Sequence, residues 1–289
     1  MDAEFLAEQF ETHRTRLRAV AYRMLGSLSE ADDAVQETWL RLSRSGGDEI
    51  GNLGGWLTTV VGRVCLNMLR SRTTRREEPL ETRVPDPLVT GVDTVDPEQE
   101  ALLADSVGLA LLVVLETLAP PERLAFVLHD LFAMPFDEIA PIVGRTPAAT
   151  RQLASRARRR VRGVPAPDPD LARQREVVDA FIDAARGGDL AGLVEVLAPD
   201  VVVRSDPGGH RPGTLRRGPD EVARGATLFA TFAEELRPVQ VNGAAGAVAI
   251  VGGQVVSVAA FTVAGGKVVA LDILADPDRL NRLDLSFLE

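Results

Sequence analysis

The stretch Phe136-Asp137-Glu138-Ile139-Ala140-Pro141-Ile142-Val143-Gly144-Arg145-Thr146-Pro147, continuing through Ala148-Ala149-Thr150-Arg151-Gln152-Leu153-Ala154-Ser155-Arg156 to Ala157-Arg158-Arg159-Arg160, decides how most of the chain is read. Its first eight residues have the apolar spacing of a short helix. Gly144 permits a tight left-handed turn, Thr146 has the side chain of a helix cap, and Pro147 suits a first helical position, where the missing amide costs nothing. Ala140 and Val143 are expected to pack on Ala149 and Leu153. The pattern predicts a helix–turn–helix whose second helix, Thr146 to Arg160, offers its first turns to a major groove. A generic helical hairpin is the competing reading. Thr150, Arg151 and Gln152 are the candidate base contacts, with Ser155, Arg156, Arg158 and Arg159 nearer phosphate, and Arg145 and Thr146 are further DNA-binding candidates.

Charge supports this. The 289 residues carry a net charge of −10 and a pI near 5.0, an average that argues against nucleic acid. Yet no acid occurs between Gly144 and Gly163, nor between Gly62 and Arg76, where Arg63, Arg70, Arg72, Arg75 and Arg76 fall. Unmixed arginine on a helix concentrates positive potential and suits phosphate; a solvated basic face is the plainer alternative.

Upstream, residues 1–76 have helical periodicity. Leu17, Val20, Ala21, Met24 and Leu25 mark one helix. Ser29, with Asp32 three residues on, reads as the cap of a second, which carries Ala34, Val35, Thr38, Trp39 and Leu42. A glycine-rich loop from Ser43 to Gly54 follows, and a third helix begins near Trp56. Residues 77–105 are acidic and proline-containing, so they read as a linker. Helix resumes from Leu109 to Val161, in a module bounded at 106–163. Pro165, Pro167 and Pro169 make a second linker, 164–170.

The last segment, 171–289, has a different grammar. Two helices (from Leu171, and Leu190 to Leu197) precede a strand at Val201-Val202-Val203, and a further helix runs from about Asp220 to Leu236. From Pro238 to Gly266 there is no charged residue. Asn242-Gly243, Gly252-Gly253 and Gly265-Gly266 divide that stretch into β-branched runs, which predicts antiparallel hairpins and not a membrane span.

On these motifs the chain resembles the extracytoplasmic-function sigma factors of RNA polymerase. Glu138-Ile139-Ala140 through Arg156-Ala157-Arg158-Arg159 is similar to region 4, which reads the minus-thirty-five promoter element. Asp32-Asp33-Ala34-Val35-Gln36-Glu37-Thr38-Trp39 and Trp56-Leu57 through Asn67-Met68-Leu69-Arg70 resemble region 2. The resemblance implies that Asp32, Asp33, Gln36 and Glu37 dock on core polymerase. It also implies that Arg63, Asn67 and the arginines after them lie over the minus-ten element, with the Ser43–Gly54 loop pocketing a flipped base. Trp39 and Trp56 read first as core anchors.

The last segment resembles the SnoaL-like, ketosteroid-isomerase-like cone, and the fusion resembles sigma factors of the J type. The expected fold class is therefore multidomain: two all-α sigma modules plus an α+β cone. Three motifs carry the closer likeness: Pro85-Asp86-Pro87 in the acidic linker, Asp206-Pro207-Gly208-Gly209, and Asp276-Pro277-Asp278-Arg279-Leu280. In that group the linker and extension motifs touch, which makes the extension a regulator; here Arg83-Val84 stands before the first proline where the group has Trp-Leu. The linker is expected either in the polymerase's template channel or against the protein's own arginines.

Asp206, Asp272 and His210 are the pocket's candidate acids and base. An isomerase of this fold uses a tyrosine as oxyanion donor, and Tyr22, the single tyrosine, lies in the first module. No catalysis, cofactor or metal is expected. The single cysteine, Cys65, excludes an internal disulfide and reads as a buried thiol, which with the lack of a signal-peptide pattern points to the cytoplasm. Core polymerase, promoter DNA and a small-molecule ligand of the cone are the expected partners. A repressor acting without polymerase, and a SnoaL-type enzyme with a DNA-targeting appendage, are the rival readings.

Overall fold

The computed structural model describes residues 3–45, 50–75, 82–92, 108–209 and 211–288. The chain divides into two compact units. The first holds residues 1–78, 97–105 and 114–163; the second holds 79–96, 106–113 and 164–289.

The first unit is helical. Helices α1 (Ala3–Leu25), α2 (Leu28–Ser45) and α3 (Leu53–Arg75) form a bundle. Helix α2 buries Ala31, Ala34, Val35, Thr38 and Leu42, an apolar stripe at helical spacing. It starts before Ser29, so the expected cap is instead in the first turn. Helix α3 likewise begins three residues ahead of Trp56, because the Asn52 side chain accepts the Gly55 amide (3.0 Å). The loop between α2 and α3 is thus shorter than expected, and residues 46–49 of it lie outside the described ones. Trp39 leans on Phe10 with ring centroids 5.2 Å apart; Trp39 and Trp56 are both only part-buried. Cys65 is fully buried, and burial pushes its thiol up, away from the reactive thiolate.

Helix α4 (Gly108–Glu116), which enters the first unit only at Val114, leads to α5 (Pro120–Phe126), which runs into a π-helical turn, Val127–Leu131. The periodicity of Leu109–Val161 gives no sign of the break at Thr117–Ala119. Helices α6 (Phe136–Val143) and α7 (Pro147–Val161) complete the unit. Gly144 between them is left-handed (φ 69°). Inside this unit Arg123 is almost fully buried. It donates to Glu116 Oε1 (3.0 Å) and to the carbonyls of Glu116 (2.9 Å) and Met24 (2.7 Å), so a charged side chain ties α5 to the end of α1.

The second unit is a seven-stranded mixed sheet with helices α8 (Leu171–Gly187), α9 (Leu190–Val196) and α10 (Pro219–Ala230) against it. Its strands are β1 (Val89–Thr90), β2 (Leu197–Asp206), β3 (Thr214–Arg217), β4 (Glu235–Val241), β5 (Ala244–Val251), β6 (Gln254–Ala264) and β7 (Lys267–Leu274), in the spatial order β1-β4-β5-β6-β7-β2-β3. A short helix α11 (Pro277–Leu280) follows. All neighbours are antiparallel except β2 and β7. The three dipeptides do form the hairpin turns. Both residues of each have positive φ, the mirror-image turn that matches strand twist. The core sets Val178, Phe181 and Ile182 of α8 against Phe261 and Leu271 of the sheet, with Phe181 and Phe261 edge to face at 5.3 Å. The helix expected to reach Leu236 stops at Ala230, since β4 starts at Glu235, and β3 was not anticipated.

Two linker readings are corrected. Residues 82–92 of the acidic stretch belong to the second unit, where Val89–Thr90 is an edge strand on β4. The proline-rich connection is fixed as well: Asp168 accepts the amides of Gly265 and Gly266 (both 3.0 Å), and its own amide donates to Val263 O (2.7 Å).

Candidate nucleic-acid interface and the clasp on the linker

Helix α7 is built as its sequence predicts. Thr146 is the cap, its Oγ1 accepting the Ala149 amide (3.2 Å), and Pro147 is the first residue. The buried face is Thr150, Ala154 and Ala157, small residues that let α7 sit close on its neighbours. This corrects one site residue. Thr150 is fully buried and its hydroxyl donates to Thr146 O (3.0 Å), so it cannot reach a base. Arg145, Arg151, Gln152, Ser155, Arg156 and Arg159 are exposed. Arg151 lies over the Phe136 ring at 5.3 Å, a stacking that orients its guanidinium. Arg158 is drawn back onto Asp130 (2.6 Å) and Arg160 onto Thr117 O (3.0 Å), so both brace the module.

In α3 the exposed residues Arg63, Asn67 and Arg70 recur at one-turn spacing and share a face. Arg72 does not join them. It is half-buried, donates to Leu25 O (3.0 Å) and pairs with Glu30, which makes it a brace between α3 and the start of α2. The side chain of Arg75, and Arg76 altogether, lie outside the described residues. On α2, Asp33 and Gln36 are exposed beside Leu40, an outward leucine, whereas Asp32 pairs with Arg18 (2.7 Å) and Glu37 with Arg41 (2.8 Å).

In the second unit the three short motifs converge on Arg279. Its Nε donates to Asp86 Oδ1 (2.7 Å), Nη1 to Asp206 Oδ2 (2.8 Å) and Nη2 to Val84 O (2.6 Å). Burial works against its charge, but Asp86, Asp206 and Asp276 outweigh that and hold its pKa above the ordinary value. Asp206 also accepts the amides of Val84 (3.1 Å) and Gly208 (3.2 Å). A Cβ on Gly208 would lie 2.1 Å from the Asp276 carboxyl carbon, so only glycine fits there. Val84, Pro85, Asp86, Pro87 and Leu88 are buried. Asn242 fixes their register, its backbone and side chain bonding Leu88 O (2.8 Å) and the Leu88 amide (3.1 Å). Pro277 and Asp278 are exposed and open α11, which Asp276 caps. They and Gly209 set up the clasp around Arg279 without closing it.

Three family models match the chain: Sigma-70 region 2 over residues 9–75, Sigma-70 region 4 over 108–161, and a SnoaL-like domain over 178–275. The chain is 42% identical to the ECF RNA polymerase sigma factor SigJ of Mycobacterium tuberculosis, over 94% of its own length and 92% of the relative's. A probable ECF RNA polymerase sigma factor of the same species, SigI, is 37% identical over 95% and 94%. The crystal structure of SigJ superposes with a TM-score of 0.78 at 37% identity, covering 96% of this chain and 99% of that one. The chain belongs to the extracytoplasmic-function RNA polymerase sigma factors. In this sigma factor, α1–α3 are the region 2 helices, α4–α7 those of region 4, and the mixed sheet with its helices is the SnoaL-like domain.

The cone's acids take a different place from the one expected. A cavity of about 220 Å³ opens between α8, α10 and the sheet, and neither Asp206 nor Asp272 lines it. Both stand on the opposite face of their strands. Asp272 is buried against Arg204 (3.0 Å), and burial raises its pKa although Arg204 pulls it down. Among the described residues no acid or histidine borders the cavity; His210 lies outside them. The residues that sequence reasoning missed are Arg279, which was quoted within its motif but given no role, and Asn242, which was read as a turn alone. A lone arginine three residues after an Asp-Pro pair could have signalled a carboxylate clasp; Asn242 carried no second signal.

Proposed function

We propose that this sigma factor binds core RNA polymerase and directs it to promoters, and that the SnoaL-like domain governs this through residues 84–89. Arg145 in the turn before α7 and the exposed α7 residues Arg151, Gln152, Ser155, Arg156 and Arg159 contact the upstream element, Arg151 and Gln152 from the groove side and the other arginines at phosphate. Arg63, Asn67 and Arg70 on α3 hold the minus-ten strand, while Asp33, Gln36 and Leu40 on α2 meet the polymerase. Polymerase makes the bonds, and the work takes place in the cytoplasm. The observation that carries this reading is the pairing of two acid-free arginine faces in one acidic chain, in the order region 2 then region 4. Apart from Arg216 the cavity is lined by apolar and hydroxyl side chains, and this favours ligand binding by the cone over turnover.

Run-off transcription with purified core polymerase, on promoters selected by the full-length protein, tests this. Transcripts are expected only when the protein is added, and Arg279→Gln should change their yield at least threefold. No core binding and no transcripts would overturn the reading and favour a repressor.

A further inference from the structure

We infer that the cavity of the SnoaL-like domain is a binding site for a small amphiphilic acid, whose apolar body fills the void and whose carboxylate pairs with Arg216. The void follows from the sequence. On the faces of β5 and β6 that line it stand Ala247, Ala249, Ser257 and Ala259, whereas the alternating positions Val248 and Val258 face the other way. Close packing would call for large side chains at the inward positions. Small ones leave about 220 Å³, more than the roughly 150 Å³ apolar cavity that takes up benzene. One aromatic ring or a medium-length alkyl chain fits.

The polar end is equally built. The register pairs Val203 with Arg216 and Ser205 with Thr214, and all four line the cavity, so the guanidinium hangs at its edge beside two hydroxyls. Arg204, Arg237 and Arg279 of the same domain each meet a carboxylate. Arg216 meets none among the described residues. It is seated instead over Gly225, where a Cβ would fall 2.1 Å from its Nη1. Gly225 is mid-helix in α10, a position where glycine is destabilising relative to alanine. With no side chain at Gly225, the tip of exposed Arg216 lies against α10 at the cavity's edge, and an alanine Cβ there would push it aside. Phe229 lines the mouth while 42% exposed, an aromatic edge that an entering apolar body would cover.

This inference does not rest on promoter binding, and its test contains no polymerase or DNA. Full-length protein is titrated calorimetrically with octanoate and 3-phenylpropionate, and with the neutral 1-octanol and 3-phenylpropanol. The acids are expected to bind at least tenfold more tightly than their alcohols and to raise Tm. Arg216→Gln should abolish that preference without lowering the Tm of the free protein. Gly225→Ala should raise the free protein's Tm yet weaken the acids several-fold, which separates loss of the site from loss of the fold. No binding by any probe, equal binding of acids and alcohols, or a preference that survives Arg216→Gln would each overturn it.

Discussion

Arg279 spends its whole fork on two carboxylates and a carbonyl while only 16% of its side chain is exposed. Removing one partner of such a buried arrangement leaves uncompensated charge, at a cost of about 3–5 kcal/mol. Arg279→Gln should therefore destabilise the SnoaL-like unit by about 3 kcal/mol in urea unfolding followed at that unit. Arg279→Lys should recover part of this, because an ammonium supplies charge but not the planar fork. A loss below about 1 kcal/mol for the glutamine variant would show that the clasp adds little. Thr150 shows the limit of residue-scale reading. Its position in the first turns of a recognition helix suggests a base contact, yet a hydroxyl that bonds its own helix and packs inward is equally compatible with that position. Only the direction of burial separates the two.

At the scale of elements, α7 and the turn before it separate their arginines into exposed and tethered ones. Arg145 and Arg159 are exposed, whereas Arg158 is held by Asp130. Substituting either exposed arginine by alanine should weaken DNA binding by the holoenzyme across all sequences and reduce the salt slope by about one. Arg158→Ala should leave the slope nearly unchanged. Fluorescence anisotropy over a salt series distinguishes these outcomes. The proline-rich connection makes a second prediction. Hydrogen bonds from Gly266 and then Gly265 hold the Asp168 carboxyl below its usual value. That contribution is complete above the ordinary carboxylate pKa of about 3.9 and vanishes as pH falls through the lower folded value. Protection of the Gly265 and Gly266 amides, taken relative to their intrinsic exchange rate at each pH, should thus fall on acidification in the native protein. Asp168→Asn should exchange faster at neutral pH and lose that dependence.

Much of the element order was legible because its signals are local. The turn dipeptides placed β4 to β7, and glycine, threonine and proline in series placed α6 and α7. The rest depends on partners distant in sequence. Strand β1 has two residues and exists only because Asn242 and β4 receive it, so nothing within residues 77–105 announces it. Asp86 reads as solvated for the same reason: it is buried against Arg279, nearly two hundred residues away.

At the scale of the whole molecule, the described part of the acidic stretch between the two sigma modules, residues 82–92, is a structural element of the SnoaL-like unit. If the clasp keeps it there, trypsin should cut after Arg83 slowly in the native chain and at least tenfold faster in Arg279→Gln, at a protease level that spares the folded helices. Equal rates in both would place the control of this segment elsewhere.

Strand β1 also sets a length. From Arg75 to Gly108 the chain has about 33 residues, a leash of roughly 110 Å if fully extended. With Val89–Thr90 paired to β4, about 16 residues separate Val92 from Gly108, a contour of at most roughly 55 Å. Undoing two residues of strand pairing and one arginine clasp would double the contour length between α3 and α4. Control through this segment would then act on length and would need no blocked surface.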